Sequence, residues 1–436
     1  MSVRLAVVNW RDPWHPAAGG AERYAWEQAR RLAAGGMRVA FVTCRAPGQR
    51  RRERIEGVEF VRLGGRFTVY PLVLLWMLAH RRSFDAVLDC QNGIPFFTPW
   101  VLPRRVPVFC VIHHVHDGQF GLYFPPWLAW LGRVLEGPVS RWTYRRHAYV
   151  VVSPSTRTAV RERLGWKGPA YVVPNGTTPP GDVAVPESPA GLVCVTRLVP
   201  HKRLGRLLRL AERHPRLRLD IVGDGPERAA LAARIAERGL DGQVTLHGYV
   251  PEETKNALVA RAVLHLSTSQ GEGWGLSVIE AAALGVPTVA YDVDGLRDAV
   301  RDGVTGWLAR DDDLDGAVER ALKELADPAA RRAIGRACRA WAAEFDWDRT
   351  TARTRGLLEA AVAAGSASTG DDRAHVVHRY GDERPRVVEG PARDALLAAG
   401  RVRESRPASE PERLLGRAVD AAKGASARWT GGCENG

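Results

Sequence analysis

Short apolar runs, most of them unbroken by polar residues, recur along the chain and alternate with longer stretches of helical spacing. In the first half they fall at Val3–Val8, Val39–Thr43, Val58–Arg62, Ala86–Asp89, Val108–Ile112 and Ala148–Val152. Such continuous runs are what parallel strands covered on both faces require. Between the first two, AERYAWEQARRLAAGG repeats apolar residues at Ala25, Ala29 and Leu32 before Gly35-Gly36 stops it, which predicts a helix. The alternation pauses at VVPNGTTPPGDVAVPESPAG, which carries five prolines and neither period. It restarts at Leu192–Thr196, Leu217–Val222, Val244–His247, Leu264–Ser267 and Thr288–Tyr291.

Two blocks of β-α units joined by a Pro/Gly segment predict two doubly wound α/β domains facing across a cleft. The first is expected over 1–178 and the second over 179–345, with a further helix over 346–364 that could cross back to the first. From 365 to 436 the texture is polar and poor in apolar period, which predicts a disordered tail. Within it ARDALLAAGRVRES and ERLLGRAVDAAKG could each form a short helix.

The 436 residues carry 62 Lys+Arg against 49 Asp+Glu, a formal charge of +13, which favours anionic partners. No basic run with interleaved aromatics and no zinc-finger spacing occurs, so nucleic acid is not an expected partner. The six cysteines are scattered without a CxxC pair, and most lie in or beside strand-like runs, as free thiols of a reducing, cytoplasmic compartment do. The opening MSVRLAVVNW is too short for a signal peptide. FTVYPLVLLWMLA and FGLYFPPWLAWLG fall short of the ~20 residues that span a bilayer.

Candidate chemistry lies at strand–loop–helix junctions. EGWGLSVIE, from Glu272 to Glu280, follows the strand-like Leu264–Ser267 and opens a helix. Glycines at 271, 273 and 275 allow close backbone approach, and the first helical N–H groups attract anions. The two carboxylates could form a general acid/base pair or accept hydrogen bonds from a polyol. They could equally be a solvated loop acid and a helix-dipole partner. TRLVPHKRL places Arg197, His201 and Lys202 just past another strand, where two cations suit a diphosphate or simply form a basic surface. IVGDGPERAAL adds a third glycine turn at Gly223, a common feature by itself.

Taken in order, RLVPHK, VGDGPE, LHGYVPEE and STSQGEGWGLSVIEAAALGVPTVAYDVDGLRDAV resemble the donor domain of family 4 glycosyltransferases. Gly19-Gly20 in AAGGAERYAWE, VVSPSTR and VVPNG extend the likeness over roughly residues 1–360. The resemblance implies the GT-B architecture of two Rossmann-like domains, net retention of anomeric configuration and no metal requirement. By that likeness Arg197 and Lys202 would neutralise the donor's diphosphate and Glu280 would accept from the ribose hydroxyls. Glu272 would sit by the donor sugar, and the amides of Gly273, Trp274, Gly275 and Leu276 would hold sugar or phosphate oxygens. Tyr249 and Val250 would lie beside the base, Gly223 in the neighbouring loop, and Gly19 and Gly20 against the phosphate from the other domain. No tightly bound cofactor is implied; the donor would be a UDP-, GDP-, dTDP- or ADP-linked sugar. The acceptor would be a lipid-linked saccharide, a polysaccharide or a small natural product.

PVFCVIHHVHDGQF departs from the family's common single histidine. His113 aligns with the histidine that lines the sugar site, while His114, His116 and Asp117 are further candidates for the acceptor or sugar site. The spacing has no usual zinc geometry. Asp311-Asp312-Asp313 reads as a turn or helix cap. Trp127, Trp130, Leu128, Leu131 and Leu135 form an apolar face followed by Arg141, Arg145 and Arg146. Packing against the first sheet is the plainer reading of that face; an acceptor wall or peripheral contact with an anionic membrane at its inner surface are the others. A GT-B binding protein without catalysis, or a GT-B sugar-nucleotide epimerase, are the alternatives to a transferase.

Overall fold

The structure, a computed structural model, describes residues 2–366 apart from Ala17, Asp182, Val185, Glu187, Ser188 and Asp311, together with three strands between 374 and 407. The first sheet comprises β1 (Arg4–Val8), β2 (Arg38–Thr43), β3 (Arg52–Ile55), β4 (Val58–Arg62), β5 (Ala86–Gln91), β6 (Val108–Ile112), β7 (Ala148–Val151) and β8 (Ala170–Val172). Its order is β3-β4-β2-β1-β5-β6-β7-β8, parallel except that β3 runs antiparallel to β4. The second sheet comprises β9 (Leu192–Val195), β10 (Leu219–Val222), β11 (Val244–Gly248), β12 (Leu264–Ser267), β13 (Thr288–Tyr291) and β14 (Gly306–Ala309). All its strands are parallel, in the order β11-β10-β9-β12-β13-β14.

Both sheets are covered on two sides. In β1, Leu5 and Val7 join the core under the Gly20–Ala34 helix, which buries Ala25, Ala29 and Leu32. Ala6 and Val8 join the opposite core under the Val69–Ala79 helix, which buries Val69, Val73 and Met77. Every residue from Leu5 to Val8 is fully buried, so the strand is a continuous apolar run.

Strand order reverses between β1 and β5 in the first sheet and between β9 and β12 in the second. Neighbouring chains leave such a switch point toward opposite faces, and a crevice opens at the strands' carboxyl ends. The loops beginning at Asn9, Thr196 and Thr268 leave these ends and carry the glycine, Arg/Lys and Glu motifs.

The chain passes between the domains twice, and the two passes run side by side. Thr177 N–H donates to the Phe345 carbonyl at 2.7 Å, and Thr177 pairs with Asp346 in a parallel bridge. The Trp347–Ser366 helix then lies on the first domain. Trp347 is 1% exposed and meets the Tyr24 ring edge-on, and Thr350 Oγ1 donates to the Pro174 carbonyl at 3.0 Å.

β15 (Ala374–Arg379), β16 (Arg386–Glu389) and β17 (Val402–Pro407) form an antiparallel sheet in the order β16-β15-β17. They lie within the stretch expected to be disordered, and β17 takes the end of the part that could have formed a helix from Ala392. The valines at 376, 377, 387 and 388 supply β propensity that the surrounding charge obscures. The second expected helix, from Glu412, lies outside the described residues. Asp313 caps the Leu314–Leu325 helix by accepting from Gly316 N–H, Asp312 pairs with Arg206, and Asp311 is outside the described residues.

Trp127 and Trp130, expected against the sheet, are 68% and 62% exposed. Their helix, Pro126–Val134, buries only the small Ala129 and Gly132, and Gly132 sits against the Phe120 ring. Among the described residues no helix is long and apolar enough to cross a membrane.

Trp347→Ala removes a fully packed indole from the second pass and should lower stability by ~3–5 kcal/mol. A urea unfolding curve indistinguishable from wild type would show that this helix adds nothing to the first domain's core.

Candidate functional site

The loops following β9 and β12 are stitched together. Thr268 Oγ1 donates to the Lys202 carbonyl at 2.8 Å, and Gln270 N–H to the His201 carbonyl at 2.8 Å. The Arg203 guanidinium donates to the Thr268 and Ser269 carbonyls, both at 3.2 Å. The Lys202 ammonium is ion-paired with the Glu272 carboxylate, which also accepts from Ser269 Oγ at 2.7 Å. Burial alone would raise the Glu272 carboxyl, but Lys202 and the Ser269 hydroxyl hold it below the usual carboxylate range. The acid is therefore ionised, and its neighbour's charge is half-spent within the protein.

Arg197 lies just ahead of this pair. Its side chain is exposed and, among the described residues, has no carboxylate partner. It faces the other domain: a Cβ added to Gly19 would lie 3.6 Å from the guanidinium carbon. Gly19 is the N-cap of the Gly20–Ala34 helix, its N–H bonded to Glu22 Oε2 at 2.8 Å, and Gly20 faces open space. A helix N-terminus and an unpaired guanidinium thus confront each other across the cleft, an arrangement suited to an anion.

Glu280 stands on the second turn of the Leu276–Ala283 helix and is shared by two cations. Arg23 reaches it from the first domain at 3.1 Å, and Lys255 from the Glu252–Ala260 helix at 2.9 Å. Arg23 also donates to Thr178 Oγ1 at 3.3 Å, on the crossing segment. Gly275 starts the Glu280 helix at φ 81°, a conformation that favours glycine, and Leu276 begins its first turn. Gly273 touches the other domain: a Cβ there would overlap the His113 carbonyl. Thr156 Oγ1 donates to both that carbonyl, at 3.1 Å, and the Gly273 carbonyl, at 3.2 Å.

The histidine segment lines the first-domain wall. His113 is buried, edge-on to Tyr24, and its Nε2 has no partner. Burial, with its histidine neighbours, pushes His113 down to about 3. His114 is likewise lowered by burial, and its Nε2 is unpartnered. His114 and His116 rings lie 3.9 Å apart, and burial pushes His116 down to about 4. All three imidazoles are neutral at pH 7 and can each accept or donate one hydrogen bond. His116 and Asp117 take different partners. His116 N–H donates to Glu136 Oε1 at 2.7 Å and its Nδ1 lies 3.3 Å from the same oxygen, while Asp117 is ion-paired with Arg163. Glu136 is fully buried, in a π-helical turn at Leu135–Val139, and burial pushes it up to about 8.

The remaining predicted residues divide. Gly223 packs against the Thr196 carbonyl and lets two loops approach. Tyr249 is 88% exposed at the end of β11, and Val250 packs on the core beneath it. The Trp274 indole is 5% exposed and meets Phe345 edge-on, so only its backbone borders the cleft. Sequence reasoning missed Arg23, Lys255, Ser269 and Glu136. Arg23 stood one turn past the flagged glycines in GGAERY, and only a helical projection of that segment would have singled it out.

The model for Glycosyltransferase Family 4 matches residues 18–180, and that for Glycosyl transferases group 1 matches residues 180–341. The chain is 36% identical over 200 residues to D-inositol 3-phosphate glycosyltransferase of Mycobacterium leprae, covering 43% of this chain and 44% of that protein. The alignment thus spans less than half of that relative's length. Sucrose-phosphate synthase from Thermosynechococcus elongatus superposes with a TM-score of 0.70 at 21% identity, covering 82% of this chain and 98% of that one. Anabaena HepE, solved with UDP and glucose, superposes at 0.64 with 18% identity, covering 82% and 99%.

Glu136 allows a pH prediction. Its folded value, about 8, exceeds the ordinary 4.5. Stability tied to its neutral form is complete below 4.5 and is lost as pH rises toward 8. Glu136→Gln keeps the neutral shape, so its unfolding free energy should lack that decline, with the gap from wild type widening by roughly 5 kcal/mol at full effect. Parallel denaturant curves from acid to mildly alkaline pH check this; identical slopes for the two proteins would refute it.

Proposed function

This chain belongs to the family 4 glycosyltransferases, and we propose that it moves a sugar from a nucleotide-sugar donor to a hydroxyl acceptor with retention of anomeric configuration. The observation that carries the proposal is the unpaired Arg197 guanidinium facing Gly19 and the helix start at Gly20, beside the Lys202–Glu272 pair. As the glycosidic bond breaks, negative charge builds on the departing diphosphate. Arg197, Lys202 and the helix-end amides neutralise it there, and that stabilisation grows toward the transition state.

Glu280 then takes the ribose. Two vicinal hydroxyls offer donors to a carboxylate that Lys255 keeps in place from behind. Arg23 occupies one Glu280 oxygen in this structure and would be exchanged for the ribose as the nucleoside enters. Glu272, held ionised, faces the sugar as a hydrogen-bond acceptor, and the neutral His113 and His114 present unpartnered Nε2 atoms from the opposite wall. The acceptor hydroxyl approaches along the first-domain side, past the histidines. Acceptors in this reading are lipid-linked saccharides, polysaccharides or small natural products. The exposed Trp127 and Trp130 support peripheral contact of the first domain with an anionic membrane.

Arg197→Gln should lower the transfer or slow donor-hydrolysis rate by ~10²–10³-fold, the size of effect seen when one transition-state donor is removed. Activity within threefold of wild type would sink the assignment. Glu280→Gln should weaken donor binding by roughly tenfold or more, from a lost charge-assisted bond. Calorimetric titration with UDP-, GDP-, dTDP- and ADP-sugars reads it, and equal affinity for every donor would remove Glu280 from the ribose. The anomeric proton coupling of the product, read by NMR, distinguishes retention from inversion.

A further inference from the structure

At the other end of the first sheet, away from the cleft, lies a cavity of about 480 Å³. Its walls include the indoles of Trp100 and Trp142, the guanidinium groups of Arg104, Arg145 and Arg146, and His147. His147 immediately precedes β7, whereas His113 and Ser153 follow the carboxyl ends of β6 and β7. The cavity is therefore separated from the sugar-nucleotide cleft by the length of the strands.

Three features mark it as a site for a phosphate-bearing amphiphile. First, no carboxylate lines it, and among the described residues none of the three arginines is ion-paired. Like charges gathered in one depression repel, and an anion relieves them. Guanidinium groups are also the donors best matched to phosphate oxygens. Second, the indoles are fixed yet uncovered. Trp100 donates from Nε1 to Thr143 Oγ1 at 2.9 Å, and the Arg145 guanidinium carbon lies 4.6 Å from the Trp142 ring centre. Even so, Trp100 and Trp142 are 52% and 60% exposed. Third, the apolar surface continues. Phe97 stacks on Trp100 at 4.6 Å and Phe96 on Tyr70 at 4.8 Å, which ties this wall to the Val69–Ala79 helix. That helix turns Leu72, Leu75 and Leu78 outward, 39%, 61% and 43% exposed.

We propose that this cavity holds the phosphate of an anionic phospholipid, with Trp100, Trp142 and the outward leucines resting in the interfacial layer around it. An indole with one wet edge is suited to that depth, and an arginine stem reaches from apolar surroundings to the headgroup. The inference rests on membrane contact by the first domain but not on sugar transfer in the cleft.

The test is vesicle flotation of the full chain at about 0.15 M salt, so that distant charges are screened. Vesicles of phosphatidylcholine alone are compared with vesicles containing roughly one-third phosphatidylglycerol. Wild type should float with the anionic vesicles and not with the neutral ones. Arg104→Gln/Arg145→Gln/Arg146→Gln should lose about one hundred-fold in partition, about fivefold for each charge near the surface. The control Arg216→Gln/Arg332→Gln/Arg336→Gln, with the same loss of charge confined to the second domain, should float like wild type. Calorimetric donor binding should be unchanged in both triple variants, which separates failure here from failure of the transferase reading. Equal flotation of the cavity variant and wild type, equal loss in the control, or equal binding to neutral vesicles would each overturn the proposal. So would saturable binding of inorganic phosphate in the cavity by a protein that floats with neither vesicle, since the ligand would then be a free anion.

Discussion

Lys202 and Glu272 neutralise one another at the one place in the second sheet where adjacent strands send their chains to opposite sides. That ion pair, with the carbonyls gripped by Arg203, welds the two loops that line the second domain's side of the cleft. Without it two charges would be left half-buried, and each loop would be free to move independently. With it, Arg197 is left as the uncommitted cation of the group, held at a defined distance from Gly19. The same economy recurs at Glu280, where Lys255 supplies a partner from the same domain and Arg23 one from across the cleft. Each glutamate of the E-x7-E motif is thus fixed by a lysine of its own domain before any ligand arrives.

The opposite wall is built on a different principle. Its three histidines and Glu136 are neutral, although Asp117 beside them is ion-paired with Arg163. Burial strips the charging proton from the three histidines and leaves the proton on Glu136, so these four groups carry hydrogen-bonding capacity without charge. Charged groups on one side of the cleft thus face four neutral ones on the other.

Much of the fold was legible because central parallel strands are buried on both faces and must be apolar throughout. Every run expected to be a strand between Val3 and Tyr291 became one. In the two parallel-stranded sheets, the strands that escaped notice are β3, β8 and β14, all at edges. β3 reads RERI, charged as an edge strand is when it must not pair with another chain, and β8 has three residues. The glycine, Arg/Lys and Glu motifs were legible because ligand loops sit at strand ends, where local sequence sets backbone geometry. What could not be read were partnerships across the chain. Arg23 and Glu280 are 257 residues apart, and Glu136 meets His116 only through the π-helical turn. The exposed tryptophans were misplaced because an apolar helix face looks the same in sequence whether it covers a sheet or faces outward.

The paired crossing at Thr177 and Asp346 has a mechanical consequence. A single strand between two bodies lets them swivel about its axis as well as bend. Two strands laced by a hydrogen bond resist torsion, because twisting would shear the Thr177–Phe345 bond, while flexing about the line joining them leaves that bond intact. Relative displacement of the halves is thereby reduced to nearly one coordinate, like a clasp on two pins. Along such a coordinate the jaws remain in register at every aperture, so closure brings Arg197 back to the same glycine.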